Sequence, residues 1–105
     1  MKRGGSREER RLRQLQALGD PVRQRILELL KWPGCCSCEQ VSKRDPGMCV
    51  CDFEQVLGLR QPTITHHVRR LREAGLIETR KIGRWLYCCR KEKALDDLAR
   101  WLRAL

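Results

Sequence analysis

Seven cysteines are the residues of this chain with the clearest capacity for chemistry. Thiolates clustered at high density favour soft or borderline cations, such as zinc, cadmium, lead or trivalent arsenic. Buried cysteines also serve as small apolar residues, which is the alternative interpretation for any one of them. We predict a metal or metalloid site built from the five cysteines that fall within residues 35–51. These candidate ligands are Cys35, Cys36, Cys38, Cys49 and Cys51.

The spacing of the cysteines separates two kinds of pair. Cys49 and Cys51 come just before Asp52, a residue expected to cap a helix, so the backbone at the two cysteines is expected to be extended. Alternate residues of an extended chain face the same side, which would let both sulfurs bind one ion. Cys88 and Cys89 are adjacent, so in a strand they would face opposite sides. One is expected to pack inside and the other to face outward, without a ligand role.

The composition limits the class of protein. A chain of 105 residues supports one domain. Its 23 Lys and Arg against 13 Asp and Glu give a net charge of +10, which favours nucleic acid or an anionic membrane surface as partner. The basic excess lies in residues 1–31 and 60–93, on either side of a mildly acidic, cysteine-rich middle. No apolar run is long enough to span a bilayer, and no secretory signal is evident. We therefore expect a cytoplasmic protein with no membrane partner and no disulfide framework.

Helix signals divide the chain into elements. We predict a basic flexible arm over residues 1–11 and a single domain over residues 12–105, with a cysteine-rich loop over residues 31–51. Asp20-Pro21 is typical of a helix start, and that helix is expected to stop near residues 32–34. A second short helix is expected from Asp52 to a left-handed stop at Gly58. Another opens at Pro62 and carries a buried stripe of Ile64, Val68 and Leu71.

The order of these elements predicts the fold class. The two helices joined by residues 58–61 form a helix-turn-helix. Residues 76–82 and 85–89 read as strands around a tight turn at Gly83-Arg84, which makes a small β-hairpin wing. An apolar seam on the C-terminal helix favours burial against a second copy. The prediction is a mainly α, α+β winged helix-turn-helix that forms a homodimer through its N- and C-terminal helices.

The second helix of a helix-turn-helix enters the major groove of double-stranded DNA, where its polar side chains read base edges. Basic residues of the helix and wing would grip phosphates. His66 and His67 are adjacent and point about 100° apart on a helix, so they cannot jointly chelate one ion. His67 is expected to pack or to contact a phosphate. The predicted DNA-contacting residues are Gln61, Thr63, Thr65, His66, Arg69, Arg70, Lys81 and Arg84.

Several motifs together resemble the ArsR/SmtB family of winged-helix metalloregulators. The resemblance covers roughly residues 12–103. It is carried by Leu18-Gly19-Asp20-Pro21-Val22-Arg23, by Cys49-Val50-Cys51-Asp52-Phe53, by residues 60–68 and 71–77, and by Gly83-Arg84-Trp85. The resemblance implies a homodimeric repressor that releases operator DNA when a metal or metalloid ion binds.

The C-V-C-D-F run is similar to the arsenic-, cadmium- and lead-sensing branch of that family. The arsenite type carries a third cysteine three residues after the second, a position held here by Glu54. The cadmium and lead type draws cysteines from an N-terminal arm, and residues 1–34 contain none. The resemblance therefore implies that further thiolates come from Cys35, Cys36 and Cys38. Arsenite is the favoured effector, with cadmium, lead and zinc as alternatives.

Three other functions fit some of these features. Clustered thiolates in a basic protein could sense oxidants or reactive sulfur by forming a disulfide. The protein could instead bind DNA constitutively and hold a structural zinc in its cysteine loop. An enzyme using the C-x-C pair as a thiol oxidoreductase is disfavoured. No phosphate-binding loop and no nucleophile–base–acid set accompanies the cysteines, so we predict that the chain is not an enzyme.

Overall fold

The computed structural model describes residues 6–31 and 48–105, which form five helices and three short strands. The structure does not describe residues 32–47, which make up most of the predicted loop 31–51 and include Cys35, Cys36 and Cys38. None of the described helices is long and apolar enough to cross a membrane. The helices are α1 (Arg7–Leu18), α2 (Pro21–Leu29), α3 (Val50–Leu57), α4 (Gln61–Glu73) and α5 (Glu92–Ala104), and the strands are β1 (Met48–Cys49), β2 (Ile77–Ile82) and β3 (Trp85–Arg90).

Helix α1 begins earlier than the sequence predicted. Ser6 and Glu9 form a capping box, in which the Ser6 hydroxyl accepts the Glu9 N–H at 3.0 Å and Glu9 accepts the Ser6 N–H at 3.2 Å. A capping box satisfies two backbone N–H groups at the helix start. The predicted flexible arm over residues 1–11 was therefore wrong from Arg7 onward, because residues 7–11 already belong to the helix.

The other helix boundaries follow local signals closely. Asp20 caps α2 through hydrogen bonds from the N–H groups of Val22 at 2.8 Å and Arg23 at 3.2 Å. Gly58 ends α3 with a φ of 67°, in the left-handed region that glycine adopts without strain. Helix α3, however, begins at Val50 and not after Asp52. Cys51 is therefore helical, and the prediction of an extended backbone through both cysteines was wrong.

The sheet contains one strand more than the hairpin that was predicted. Strands β2 and β3 pair antiparallel around the turn at Gly83, with Ile82 opposite Trp85. The short strand β1 adds to the other edge of β3, which places Cys49 opposite Tyr87 and gives the order β1-β3-β2. The segment that carries Cys49 is thus hydrogen-bonded to the base of the wing.

The core lies between the helix-turn-helix and the sheet. Phe53 of α3, Ile64 and Leu71 of α4 and Ile77 of β2 are fully or almost fully buried in it. Burying one such side chain stabilises the folded protein by roughly 1.5–3 kcal/mol relative to leaving that side chain exposed. Core packing therefore fixes α4 and the wing relative to α3, and the predicted winged helix-turn-helix is confirmed.

Candidate thiolate site and nucleic-acid interface

The start of α3 brings two thiols and one carboxylate together. Cys49 is the N-cap residue, with an extended backbone at φ −79° and ψ 155°, and Cys51 lies in the first helical turn. The Cys49 N–H donates to Oδ2 of Asp52 at 3.3 Å. The two sulfurs and a carboxylate oxygen of Asp52 all lie within 4.8 Å of one another. Asp52 was not predicted as a ligand, although its position after the C-x-C pair placed it beside the site.

The thiol pair lies at the base of the wing. Cys49 is fully buried and packs with Tyr87, and Cys51 is half-buried against the same cluster, together with Ile82 and Trp85. The wing aromatics therefore form one wall of the site.

The spacing of the two sulfurs fits a single thiophilic ion. Zinc binds thiolate at about 2.3 Å, so one ion can join sulfurs separated by at most about 4.6 Å. The 4.8 Å limit on the cluster places these sulfurs at or close to that range. The predicted pairing of Cys49 with Cys51 is therefore geometrically reasonable, although a helix start and not a continuous strand achieves it. The other predicted ligands, Cys35, Cys36 and Cys38, lie outside the described residues.

Cys88 and Cys89 occupy two different environments on β3. Cys88 is fully buried in the main core, and Cys89 is half-buried. Burial raises the pKa of the Cys88 thiol to about 12, with a smaller contribution from Cys89. Cys88 is thus a neutral thiol near pH 7, as expected for a cysteine that packs as a small apolar residue.

Helix α4 presents the side chains that were predicted to contact DNA. Its buried face carries Ile64, Val68 and Leu71, as the periodicity indicated. Most of the predicted contacts lie on the opposite, exposed face. Exposed there are Gln61, Thr63, His66, Arg69 and Arg70, whereas Thr65 is half-buried.

The wing adds two exposed cations near the start of that helix. Lys81 precedes the turn, and Arg84 lies in it with its guanidinium carbon 5.7 Å from the centroid of the Trp85 ring. Arg80 lies in a similar way 5.6 Å from the Tyr87 ring. Such contacts hold a guanidinium over an aromatic face while leaving it accessible.

A single cleft joins the thiol site to this basic, polar surface. It has a volume of about 480 Å³ and opens between the start of α3, the start of α4 and the wing. Cys49 and Cys51 line one side of it, and Trp85 and Leu86 line another. The cleft is completed by Val50, Glu54, Gln61, Thr65, Lys81 and Arg84. Four of the predicted DNA-contacting residues therefore border the same space as the thiols.

Comparison with known sequences places the chain among transcription regulators. The sequence profile of a helix-turn-helix domain matches residues 18–80. The HTH-type transcriptional regulator MJ1325 of Methanocaldococcus jannaschii is 40% identical over 70 residues, which are 67% of this chain and 65% of that protein. ArsR2 of Halobacterium salinarum, named as an arsenical resistance operon repressor, is 33% identical over 93 residues, covering 83% of this chain and 69% of that protein.

Solved structures show the same fold. A crystal structure of an ArsR family transcriptional regulator superposes with a TM-score of 0.73 at 23% identity, covering 95% of this chain and 90% of the other. A homodimeric winged helix-turn-helix DNA-binding domain from Mycobacterium bovis matches with a TM-score of 0.64 at 22% identity, covering 99% and 85%.

These relatives are regulators of transcription and not enzymes, which confirms the prediction that the chain has no enzymatic role. The winged helix-turn-helix, the matched profile and the similarity to a named ArsR protein over 83% of this chain agree with the motifs noted in the sequence. The chain belongs to the ArsR/SmtB family of winged helix-turn-helix transcriptional regulators.

Proposed function

We propose that this protein is a repressor that binds operator DNA as a homodimer and releases it when a thiophilic ion binds Cys49 and Cys51. The observation that carries the proposal is the cleft that Cys51 shares with Gln61 and Arg84. An effector bound to the thiols lies beside the surface that meets DNA. Because relatives are named as arsenical resistance operon repressors, arsenite is the favoured effector, ahead of cadmium, lead and zinc.

The proposed DNA surface is α4 with the wing. Side chains at the start of a recognition helix reach base edges, and basic residues further along and in the wing contact phosphates. None of the four basic residues assigned to phosphates forms an ion pair with another described residue, so each is available to DNA. The proposed base-reading residues are Gln61, Thr63, Thr65 and His66, and the phosphate-binding residues are Arg69, Arg70, Lys81 and Arg84.

The proposed dimer interface lies on α1 and α5. Leu12 of α1 is 56% exposed, and Leu102 and Leu105 at the end of α5 are 44% and 83% exposed. The guanidinium carbon of Arg11 lies 4.9 Å from the centroid of the Trp101 ring, which brings the two helices side by side. A second copy of the chain that covers these leucines would also set two copies of α4 to read two half-sites.

Coupling between the thiols and DNA follows from the position of Cys51. Cys51 lies in the first turn of α3, and Phe53 two residues later packs in the core that holds α4. Drawing the sulfurs of Cys49 and Cys51 onto one ion alters that first turn, and α4 and the wing must adjust to it. A coupling free energy of roughly 1–3 kcal/mol weakens operator binding by about fivefold to 150-fold.

The experiment is a titration of the protein–DNA complex with each ion. Fluorescence anisotropy follows a labelled duplex that carries the sequence the protein selects from a random pool. Arsenite, cadmium, lead and zinc are added separately under a non-thiol reductant. We expect arsenite to release the DNA, and we expect Cys49→Ser and Cys51→Ser to abolish release while leaving the affinity of the ion-free protein unchanged.

Matched variants test the assignment of ligands. Cys89→Ser changes a half-buried cysteine of the same sheet outside the Cys49–Cys51–Asp52 cluster, and release should survive it. Because arsenite binds three thiolates at full coordination, one of Cys35→Ser, Cys36→Ser and Cys38→Ser should also weaken release. If no ion frees the wild-type protein, metal sensing is excluded. A peroxide titration of the same complex would then separate a redox sensor from a constitutive DNA-binding protein.

A further inference from the structure

A buried arginine links the first two helices to α4. The side chain of Arg23 is almost fully buried, which is unusual for a charged group without compensation. Its Nε donates to the carbonyl oxygen of Ala17 at 2.7 Å, and one terminal nitrogen reaches the carbonyl oxygen of Gln16 at 3.5 Å. The other terminal nitrogen lies 3.1 Å from Nδ1 of His67. The Arg23 side chain thus donates to the end of α1 and contacts α4 through His67.

This contact fixes the protonation state of His67. A guanidinium has donors only, so Nδ1 of His67 must be the acceptor and the ring must be neutral, with its proton on Nε2. Burial lowers the pKa of His67 below its ordinary value, and the charge of Arg23 and the neighbouring His66 lower it further, whereas Asp20 opposes them. The neutral ring is therefore the stable form in the folded protein at pH 7.

The charged groups around His67 come from three elements. Oδ1 of Asp20, in the turn between α1 and α2, lies 4.0 Å from Nδ1, and Arg23 of α2 lies beside it. His66 of α4 meets the ring edge-on, with the centroids 5.3 Å apart. The adjoining cleft between α1 and α4 is lined by Arg13, Arg70 and Glu73, together with Gln16 and Ala17.

We infer that His67 is a positioning residue for DNA binding, whose unprotonated Nδ1 holds α4 against the α1–α2 corner through Arg23. The inference rests on the proposed function, because α4 is the proposed recognition helix. Protonation of His67 replaces a hydrogen bond by two cations 3.1 Å apart, which must separate. The protonated ring is instead drawn towards Asp20, whose Oδ1 lies 4.0 Å from Nδ1 and also caps α2.

The direction in which acid changes the DNA affinity distinguishes a positioning role from a direct attraction between a protonated histidine and phosphate. Adding a positive charge to a DNA-binding helix normally strengthens its attraction to phosphates. Loss of the Arg23 contact tilts or loosens α4, so acid should weaken specific binding instead. A histidine that merely touches phosphate would behave in the opposite way.

The test measures operator affinity by anisotropy between pH 7.5 and 5.5, at fixed ionic strength and without added metal. For the wild type we expect the Kd to rise severalfold on acidification. His67→Asn keeps an acceptor at the position of Nδ1 and cannot gain a proton, so its affinity should stay near the wild-type value and lose this pH dependence. His67→Leu removes the acceptor, so α4 loses the contact that holds it against the α1–α2 corner, and the variant should bind DNA about tenfold more weakly at pH 7.5.

His66→Asn is the matched control for titration, since His66 is the exposed neighbour on the same helix. Because His66 is also a proposed base-reading residue, the comparison with the wild type uses only the ratio of each protein's Kd at pH 5.5 to its Kd at pH 7.5. The variant should retain the weakening by acid. The inference is overturned if wild-type affinity is constant or increases in acid, or if His67→Leu binds as tightly as the wild type. Thermal melts followed by circular dichroism at pH 7.5 verify that each variant is folded under the assay conditions.

A second readout is independent of DNA. Imidazole ¹⁵N shifts should show His67 as the Nε2–H tautomer with a bare Nδ1 at pH 7.5, and Arg23→Lys should change them. A protein that binds no duplex at any pH, yet shows this tautomer, refutes the proposed function and not the contact. A protein that binds and releases DNA normally, but has a protonated Nδ1, refutes the inference alone.

Discussion

The turn between α3 and α4 makes a quantitative prediction about one glycine. Gly58 adopts a φ of 67°, and a Cβ built on it meets nothing within 4 Å. The cost of Gly58→Ala is therefore backbone strain without any steric clash. An L-residue in the left-handed region costs roughly 1–2 kcal/mol, offset by about 0.4–1 kcal/mol from the stiffer unfolded chain. We expect a net loss of about 1 kcal/mol of folding free energy.

Gly19 provides the matched control. It also follows the end of a helix, but its φ is −80°, which any residue adopts, and the nearest atom to a built Cβ is the Gln16 carbonyl oxygen at 3.4 Å. Gly19→Ala should therefore change the folding free energy by less than about 0.5 kcal/mol. Gly58→Asn should fall between the two alanine variants, because asparagine tolerates the left-handed region better than alanine.

The measurement is urea unfolding followed by circular dichroism at one fixed chain concentration, because the stability of the proposed dimer would depend on concentration. A loss of 1 kcal/mol corresponds to a fall of roughly 4 °C in Tm for a chain of this size. Equal effects of Gly58→Ala and Gly19→Ala would refute the reasoning, since they would show that the turn does not require a positive φ at residue 58.

Three further predictions concern a helix cap, a buried thiol and the dimer. Asp20→Ala should lower the free energy of unfolding in urea by about 1 kcal/mol, and Asp20→Asn should lower it much less. Burial raises the pKa of Asp20, but the backbone N–H bonds and nearby cations outweigh it and lower the pKa overall. The contribution of Asp20 to stability should therefore persist above pH 4 and disappear as the pH falls through that lowered value. Cys88 should resist alkylation by iodoacetamide at pH 8 while half-buried Cys51 reacts, as peptide mass spectrometry would show. Since burial raises the pKa of Cys88 to about 12, the contribution of its neutral thiol to stability should be lost only as the pH rises from about 9 towards 12. Leu102→Glu should convert the proposed dimer to monomer in sedimentation velocity, and Val56→Glu, on an exposed residue of α3, should not; a wild-type chain that sediments as a monomer would refute the proposed dimer.

Elements that depend on adjacent residues were predictable from the sequence. Asp20-Pro21 specifies a helix start through a cap and a preset φ, and Gly58 and Gly83 specify turns through positive φ. The buried stripe of α4 follows from a period of 3.6 residues. In each case the signal comes from residues that are close together in the sequence.

Features that depend on distant residues were missed. Strand β1 has only two residues and exists because it pairs with β3, some forty positions later, so it has no periodicity of its own. The contact between Arg23 and His67 also joins residues far apart in sequence.

One local feature was also misread. The start of α3 was placed too late because Asp52 was interpreted as the N-cap, whereas it accepts the N–H of Cys49 from the third helical position.

In the proposed function, the position of Cys49 would let an ion bound to its thiol act on the whole proposed DNA-binding surface. The residue belongs to β1, caps α3 and packs against Tyr87, and its side chain is fully buried. Both cysteines line the cleft, but only Cys51 is partly exposed, so an ion entering the cleft would meet Cys51 first. Binding both sulfurs then requires Cys49 to become accessible, which means loosening a two-residue strand from the base of the wing. Such a short strand is held by few hydrogen bonds, so the opening costs little compared with global unfolding. Because β1, α3 and the wing meet at this residue, closure of the proposed site on an ion would change the start of α4 and the wing together.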